Sequence, residues 1–481
     1  MILATTSRIL AMSLLLLASS GCARATTPAS SVTASPAPRA PAKNVILFIG
    51  DGMSIATVTA ARIYDGQSRG ETGEENLLSF EHFPSTALVK TYNSDQQVPD
   101  SAGTATAMNT GVKTRAGVIG IGPSAYRGDC TESRGAILPN LAGLAHARGK
   151  SVGFVSTMRL THATPAAVYA HVADRNWESD ADIPVVERAK GCPDIAAQML
   201  AFPFDVALGG GEARFRVKGQ GGRRLTTDAD ILAQWQGRTG GTLVRTRAEL
   251  AGVGAAKGPL LGLFAGSHLQ YMLERKPDTT EPTLSEMTVA AIAKAAQNSN
   301  GYFLMIEGGN IDHGHHEGRA NIALSETQEL SRAVQLAIDT VDLSETMILV
   351  TADHSHVFTI GGYPSRGNPI LGLVKGNDHR GDPLDTPTLA ADGQPYTTLG
   401  YYNGPGAVSA TPRPAPELGP DARQQALVPT GSFFSTSSSL SESHGGDDVA
   451  LYATGPGAEQ VRGVIEQSRI FNIIEQAFGW R

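Results

Sequence analysis

The chain has 481 residues, of which 41% are hydrophobic and 18% are charged, so it is long enough to bury a large core. Its formal net charge is −7 at pH 7, and its isoelectric point is near 6.0. Because there is no basic excess, the composition excludes nucleic acid binding as the main function, and an anionic substrate must be attracted by a local site.

Residues 1–25 have the layout of a secretory signal. Arg8 precedes an apolar run over residues 9–18, far shorter than the roughly 18 residues that a membrane span requires. Two cleavage sites fit the segment. Cleavage after Ala23-Arg24-Ala25 would release a soluble protein, whereas Ser20-Gly21-Cys22 resembles a lipoprotein site that would leave Cys22 lipidated. We therefore expect an exported protein, either periplasmic or held on a bacterial membrane by a lipid anchor.

The rest of the chain divides by composition. Residues 26–42 are a Pro/Ala/Ser/Thr tether without the apolar residues that a core needs. Residues 43–481 contain no clean linker, which predicts one large domain. Inside it, residues 361–443 are rich in Gly, Pro, Ser and Thr and lack helical periodicity, so we expect a loop-rich inserted subdomain on the surface.

The chain has three cysteines. If Cys22 is removed with the signal or lipidated, Cys130 and Cys192 remain as a pair. They are either a disulfide or two buried thiols, and export to an oxidising compartment favours the disulfide.

Apolar runs and helical spacing alternate along the domain. Continuous apolar runs predict strands buried on both faces at residues 44–50, 151–158, 302–307 and 347–352. Apolar residues recur at helical spacing over residues 319–341 and over residues 464–478, where a helix should close the chain. This alternation predicts an α/β fold with a doubly wound, mostly parallel central sheet and helices on both faces. Active sites of such sheets lie at the carboxyl ends of the strands.

Five segments place acids, histidines and one serine at or near these strand ends. The segments surround Asp51, Ser101, Glu307 to Glu317, Thr351 to His356, and Glu442 to Asp448. Six of the twelve histidines fall in the last three segments. A scattered histidine is usually an ordinary core or surface residue, but clustering with acids favours a Zn²⁺ or Mg²⁺ site, beside which a serine is a candidate nucleophile.

The spacing within the segments supports a metal site. Asp312 and His316 are four residues apart, which places both on one face of a helix. Asp353 and His354 are adjacent where a strand ends, and His444 would come from a distant loop. Two zinc centres about 4 Å apart would hold both the attacking and the leaving oxygen of an in-line displacement.

Two further residues have both a functional and an ordinary interpretation. Ser101 suits the start of a helix, where backbone N–H groups favour an anion, but a simple helix cap would use the same residue type. Arg175 has a guanidinium that can bind phosphate through two parallel hydrogen bonds, but a lone arginine is more often a surface residue.

Taken together, six segments resemble the alkaline phosphatase family. They are NVILFIGDGM, PDSAGTATA, STMRLTHATPAAVYAHVADRNW, EGGNIDHGHHE, VTADHSHVF and SESHGGDDVA. The resemblance runs from about residue 43 to the C-terminus and is weakest over residues 214–257 and in the insertion. It implies a metal-dependent hydrolase of phosphate monoesters of broad type, which forms a phosphoserine intermediate and releases inorganic phosphate and an alcohol. It also implies a homodimer with two Zn²⁺ and one Mg²⁺ per subunit.

The resemblance also implies roles for the matching positions. Ser101 matches the nucleophile, and Arg175 matches the arginine that binds the substrate phosphate. The implied metal ligands are Asp312, His316 and His444 for one zinc ion, Asp51, Asp353 and His354 for the other, and Asp51, Thr164 and Glu307 for magnesium. His162 and His313 match histidines beside the ligands in animal-type members, Cys130 and Cys192 match a disulfide of those members, and residues 361–443 match the crown subdomain at the dimer interface.

One feature of animal-type members is not expected here. Those members carry an additional calcium site, and the carboxylate expected directly after Phe264 is replaced by Ala265. Glu281 could still provide another ligand, but we do not expect calcium.

Two other functions compete with monoester hydrolysis. A phosphodiesterase or sulfatase of the same superfamily is the nearer one, although Asp100-Ser101-Ala102 and Arg175 favour the monoesterase. A non-catalytic surface lipoprotein that binds phosphate or metal is the other. Such a protein should have lost Ser101 or a zinc ligand, and none is missing from the sequence.

Overall fold

Apolar strands form the centre of the molecule. The structure is a computed structural model, and it describes residues 40–225, 230–254, 257–429 and 441–481. The signal segment and nearly all of the tether, which are the subject of two predictions, lie outside these residues. The described strands are β1 Asn44–Gly50, β2 Ser85–Lys90, β3 Ser151–Arg159, β4 Val206–Gly210, β5 Thr242–Val244, β6 Leu260–Leu263, β7 Tyr302–Gly308, β8 Thr346–Ala352, β9 Ser355–His356, β10 Phe358–Ile360, β11 Leu399–Asn403, β12 Gln425–Val428, β13 His444–Gly445, β14 Val449–Thr454 and β15 Gly463–Glu466.

Ten of these strands form one sheet in the order β15-β2-β14-β8-β1-β7-β3-β4-β6-β5. Strands β8, β1, β7, β3, β4, β6 and β5 are mutually parallel, whereas β14 runs antiparallel to both β8 and β2. Every residue of β7 and β8 is buried. Because successive side chains of a strand point to opposite faces, both faces of the sheet centre are covered. The predicted α/β fold with a mostly parallel sheet is confirmed.

Helices lie between the strands. They are α1 Ile55–Ser68, α2 Ser101–Thr110, α3 Cys130–Gly135, α4 Leu141–Ala147, α5 Ala163–Ala166, α6 Val185–Ala189, α7 Ile195–Ala201, α8 Ile231–Thr239, α9 Arg247–Gly252, α10 Leu284–Ala295, α11 Asn310–His316, α12 Ala320–Thr340 and α13 Arg469–Ala477. The helix predicted over residues 319–341 is α12, whose buried residues include Ala323, Leu330, Val334 and Ala337. Their spacing of three or four residues is that of one helical face.

The prediction for the last helix was wrong at its start. Val464 and Ile465 belong to β15, which pairs in parallel with β2, and α13 begins only at Arg469. The apolar residues of α13 are buried, whereas Val464 is 61% exposed. A sheet edge offers unpaired backbone groups, and pairing with them outweighs the local helical pattern.

The region after β9 contains a second, three-stranded sheet. Strand β11 pairs antiparallel with β10 and parallel with β12. No α-helix occurs among the described residues between 361 and 443. The described residues from 40 to 481 form one compact unit.

Cys130 at the start of α3 forms a disulfide with Cys192, which precedes α7. The predicted bridge is therefore present. No helix among the described residues has the length and apolar character of a membrane span.

Candidate active site

Three buried acids meet at one edge of the central sheet. Asp51 directly follows β1, Asp353 directly follows β8, and Glu307 is the last residue but one of β7. Since β7, β1 and β8 are neighbours that run in parallel, their carboxyl ends bring the three side chains together. All three are fully buried. Gly52 makes this turn possible, because its φ is +68° and a Cβ there would collide with the His356 ring.

A first group of ligand-type atoms surrounds the ring nitrogen of His354. Its Nε2 lies 3.3 Å from Asp51 Oδ1, 3.4 Å from Asp353 Oδ2 and 3.2 Å from Ser101 Oγ. Atoms bound to a tetrahedral zinc ion at about 2.0–2.1 Å are roughly 3.3–3.4 Å from one another. The spacing of this group is therefore that of one coordination sphere.

A second group has the same spacing. Asp312 Oδ1 lies 3.2 Å from His316 Nε2 and 3.5 Å from His444 Nε2, and the two ring nitrogens are 3.1 Å apart. Asp312 and His316 lie on α11, as their four-residue spacing predicts. His444 reaches the group because β13 pairs with β9. The groups adjoin, since the rings of His354 and His444 stack with centroids 3.6 Å apart.

A third group shares Asp51 with the first. Asp51, Glu307 and His162 each place a ligand atom within 4.8 Å of the others. The hydroxyl of Thr164, on α5, is buried. Among the described residues, Thr164 Oγ1, Glu307 Oε1 and both Asp51 oxygens have no hydrogen-bond partner. Buried polar atoms normally have partners, so these atoms fit ligands of a cation.

The electrostatics of the acids lead to the same conclusion. Burial, and then the neighbouring charges of Asp353, Asp312 and Glu307, raise the pKa of Asp51 well above its usual value. Burial and the charge of Asp353 raise the pKa of Glu307 to about 7. Carboxylates this close repel one another when they are ionised, and bound cations would remove the repulsion.

His354 of the first group and His316 of the second are held in the form that binds metals. Burial, followed by the charge of His444, lowers the pKa of His354 well below its usual range. Burial also lowers the pKa of His316. A neutral imidazole has a free lone pair on one ring nitrogen, and that form is the metal ligand.

Ser101 is the first residue of α2, and Asp100 is the cap of that helix. The Asp100 carboxylate accepts hydrogen bonds from the backbone N–H groups of Gly103 and Gly117 and from Arg175 Nη1, the last at 3.0 Å. Although burial opposes ionisation, Arg175 and these N–H groups hold the pKa of Asp100 below its usual value. Arg175 is thus fixed beside the serine, and the cap predicted as one possibility for Ser101 is Asp100 instead.

His162 and His313 lie beside the groups together with a histidine that the sequence did not single out. Arg175 Nη2 lies 3.2 Å from His162 Nε2. The His268 ring packs edge-on against His313, with centroids 4.4 Å apart, and its Nε2 contacts Arg159. His268 stands alone in its segment of sequence, so no local signal could have identified it.

His356 and Glu442 also belong to the site, although the sequence assigned them no role. His356 Nε2 lies 2.8 Å from Asp312 Oδ1, and its Nδ1 lies 2.5 Å from Glu442 Oε2. Burial opposes the shift, but the Glu442 charge and both hydrogen bonds raise the pKa of His356 to about 10. Both residues were inside the recognised segments, and the alternation of His354 and His356 was the available signal.

Comparisons with known proteins show the family of this chain. The family model described as alkaline phosphatase matches residues 42–480. The chain belongs to the alkaline phosphatase family. It is 41% identical to the membrane-bound alkaline phosphatase of Bombyx mori over 450 residues, covering 89% of this chain and 78% of the relative. It is 42% identical over 456 residues to the tissue-nonspecific isozyme of Gallus gallus, covering 89% and 83% of the two chains.

Solved alkaline phosphatases share the fold. The enzyme of the Antarctic bacterium TAB5 has a TM-score of 0.62 at 22% identity, covering 92% of this chain and 100% of that one. The Thermus thermophilus alkaline phosphatase has a TM-score of 0.64 at 24% identity, covering 92% of each chain.

Membership of the alkaline phosphatase family identifies the chain as an enzyme that hydrolyses phosphate monoesters and depends on metal ions. The clusters of acids and histidines at the sheet edge are where this alkaline phosphatase can hold such ions.

Proposed function

We propose that the chain hydrolyses phosphate monoesters of broad type through a phosphoserine intermediate on Ser101, with two Zn²⁺ and one Mg²⁺ per subunit. The observation that carries the proposal is the position of Ser101 Oγ, which lies 3.2 Å from His354 Nε2, the same ring nitrogen that lies beside Asp51 and Asp353. When bound, the ions supply Lewis-acid polarisation of the serine hydroxyl and of the leaving oxygen.

Residues of this chain carry out the chemical steps and bind the substrate phosphate. Ser101 Oγ gives up its proton and attacks the phosphorus atom, and the bond to the leaving oxygen breaks as the new bond forms. The departing alkoxide takes up a proton and leaves as the alcohol. Water then cleaves the phosphoserine and releases inorganic phosphate. Arg175, held by Asp100, binds the nonbridging oxygens, and the N-terminus of α2 adds backbone N–H groups. Phosphoryl transfer depends mainly on such positioning and charge stabilisation.

The donor atoms suggest which ion each group holds. Asp312, His316 and His444 offer one oxygen and two nitrogens, and Asp51, Asp353 and His354 offer two oxygens and one nitrogen, sets that suit zinc. Asp51, Thr164 and Glu307 offer only oxygen, which suits magnesium. His162 and His313 stand beside these ligands, as the resemblance implies.

The first test measures metal and activity on the same preparation. Elemental analysis of the purified protein should find two zinc ions and one magnesium ion per chain. Chelation should abolish hydrolysis of an aryl phosphate, and returning both ions should restore it. Full activity after complete removal of the metals would contradict the proposal.

The second test separates the monoesterase from a phosphodiesterase of the same superfamily. Rates should be compared on an aryl monoester, an aryl diester and an aryl sulfate. A monoester carries one more negative charge than a diester, and Arg175 together with bound cations should favour it. A faster rate on the diester would overturn the choice.

We also propose that the inserted region, residues 361–443, contributes to a homodimer interface. Its described part exposes large apolar side chains: Leu427 is 77% exposed, Tyr402 60% and Tyr363 94%. Exposed apolar patches are typical of interaction surfaces. Light scattering should give twice the chain mass, and Leu427→Asp with Tyr402→Asp should lower it towards that of one chain. A monomeric wild type would contradict the proposal.

Export, as either a periplasmic protein or a lipoprotein, completes the proposal. It is supported by the layout of residues 1–25 and by the Cys130–Cys192 disulfide, which suits an oxidising compartment. Mass spectrometry of the mature protein would distinguish a lipidated Cys22 from cleavage after Ala25. Recovery of an unprocessed chain from the cytoplasm would contradict export.

A further inference from the structure

Glu442 lies at the centre of a buried chain of hydrogen bonds that ends on Asp312. Its side chain is 1% exposed. Glu442 Oε1 accepts a hydrogen bond of 2.8 Å from the Val357 backbone N–H, and Oε2 lies 2.5 Å from His356 Nδ1. The other nitrogen of that ring, Nε2, lies 2.8 Å from Asp312 Oδ1. One imidazole thus connects the Glu442 and Asp312 carboxylates.

The backbone of the same residue holds a second side chain of the site. The Glu442 carbonyl oxygen accepts a hydrogen bond of 2.8 Å from His316 Nδ1, and the Glu442 N–H donates to the His316 carbonyl at 3.0 Å. The bond at Nδ1 leaves His316 Nε2 directed at Asp312. His444 follows two residues later on β13, which pairs with β9. Residue 442 therefore contacts His316 directly, is connected to Asp312 through His356, and closely precedes His444.

His356 and Glu442 could themselves be metal ligands, because each places a ligand-type atom within 4.8 Å of one on His316. Their hydrogen bonds argue against that role. Both ring nitrogens of His356 are engaged by carboxylate oxygens, so no nitrogen lone pair faces an open position. Both carboxylate oxygens of Glu442 are also engaged. Both residues are therefore placed to orient a metal ligand, Asp312, and not to bind the metal themselves.

We propose that Glu442 is a positioning residue, which fixes the His356 ring and through it the Asp312 carboxylate of the proposed zinc group. This inference rests on the proposed function, because it concerns a zinc ion that the proposal assigns. Hydrogen-bonding partners behind metal ligands typically change metal affinity about 10- to 100-fold when they are removed.

The test compares two replacements of similar size. Glu442→Leu removes both hydrogen bonds. Glu442→Gln keeps an oxygen that accepts from Val357, and its NH₂ donates to His356 Nδ1, which leaves the ring proton on Nε2 for Asp312. Glu326→Gln is the matched control, since it makes the same replacement at another buried glutamate, one that accepts a hydrogen bond from the Met272 backbone. Zinc affinity is measured by competition with a chelator on each purified protein.

For Glu442→Leu we expect one of the two zinc ions to bind about 10- to 100-fold more weakly. Glu442→Gln should stay within about 3-fold of wild type, and the control should not change. Wild-type affinity in Glu442→Leu would overturn the inference, and so would equal losses in the Leu and Gln variants. If the Leu variant does not fold, Glu442→Asp replaces it, because its shorter side chain cannot reach His356; the same outcomes then apply. A wild type without zinc would instead refute the proposed function.

Discussion

Ser101 combines two features that are each weak alone. It begins α2 directly after the Asp100 cap, and its hydroxyl lies 3.2 Å from the His354 ring. The first feature places the backbone N–H groups of α2 where they can bind an anion. The second places Ser101 Oγ beside a ligand-type nitrogen. Together they support the proposal that Ser101 is the nucleophile and not an ordinary helix residue.

Ser101→Ala should abolish turnover and the covalent intermediate while leaving the metal content unchanged. The reason is that the variant removes the attacking oxygen but leaves the carboxylates and imidazoles in place. Trapping with a ³²P-labelled monoester at low pH measures the phosphoenzyme, and elemental analysis measures the metals. Covalent ³²P labelling of Ser101→Ala, or normal burst kinetics in that variant, would refute the assignment of Ser101 as the nucleophile.

Arg175→Ala should raise KM by about 10- to 100-fold, since a hydrogen bond to a charged group contributes about 1.5–3 kcal/mol. It should also weaken inhibition by inorganic phosphate to a similar extent. Arg127→Ala is a nearby control, because Arg127 forms an ion pair with Asp174, the residue before Arg175. Equal effects of both replacements on KM would show that general charge, and not the Arg175 contact, attracts the substrate.

Helix α12 packs against its surroundings with two buried acids among its apolar residues. Glu326 accepts a hydrogen bond of 2.6 Å from the Met272 backbone N–H, which connects the helix to the segment after β6. Burial raises the pKa of Glu326 to about 8. The hydrogen bond from the Met272 backbone lowers this pKa, and the negative charge of Glu329 raises it. The helix therefore carries a carboxyl group that stays protonated at neutral pH.

The pH dependence of stability follows from this raised pKa. Glutamate in an unfolded chain has a pKa of about 4.3, whereas folded Glu326 has a pKa of about 8. Between these two pH values the unfolded chain loses a proton that folded Glu326 keeps. The stability that this group gives the folded state is therefore lost as the pH rises. Glu326→Gln cannot ionise. Its unfolding temperature should match wild type at pH 5 and exceed it at pH 9. An equal difference at both pH values would contradict the prediction.

The Cys130–Cys192 disulfide acts on a large part of the molecule. It joins residues 62 apart in sequence, and the enclosed segment includes β3, His162 and Arg175. A closed loop of this length restricts the unfolded chain, which raises the free energy of unfolding without changing the contacts of the site.

Replacing both cysteines by serine should lower the free energy of unfolding by about 2–4 kcal/mol. The urea midpoint of the double variant should fall, while kcat of the folded protein at 25 °C should change little. Wild type treated with a reductant is the control and should show the same shift. A midpoint equal to that of the oxidised wild type would contradict this account.

The sequence alone was sufficient for features that depend on near neighbours. Continuous apolar runs located β1, β3, β7 and β8 within one or two residues, because a strand covered on both faces must be apolar throughout. Four-residue spacing placed Asp312 and His316 on one helical face. The family resemblance added roles for Ser101 and Arg175 that no local pattern could assign.

Tertiary structure alone decided which distant residues meet. The order β7-β1-β8 brings Glu307, Asp51 and Asp353 together, and the pairing of β9 with β13 brings His356 and Glu442 behind Asp312. The same kind of pairing placed Val464 and Ile465 on an edge strand, against their helical spacing. Such contacts join residues far apart in the chain, and their free energy depends on backbone pairing and burial that no local window of sequence contains.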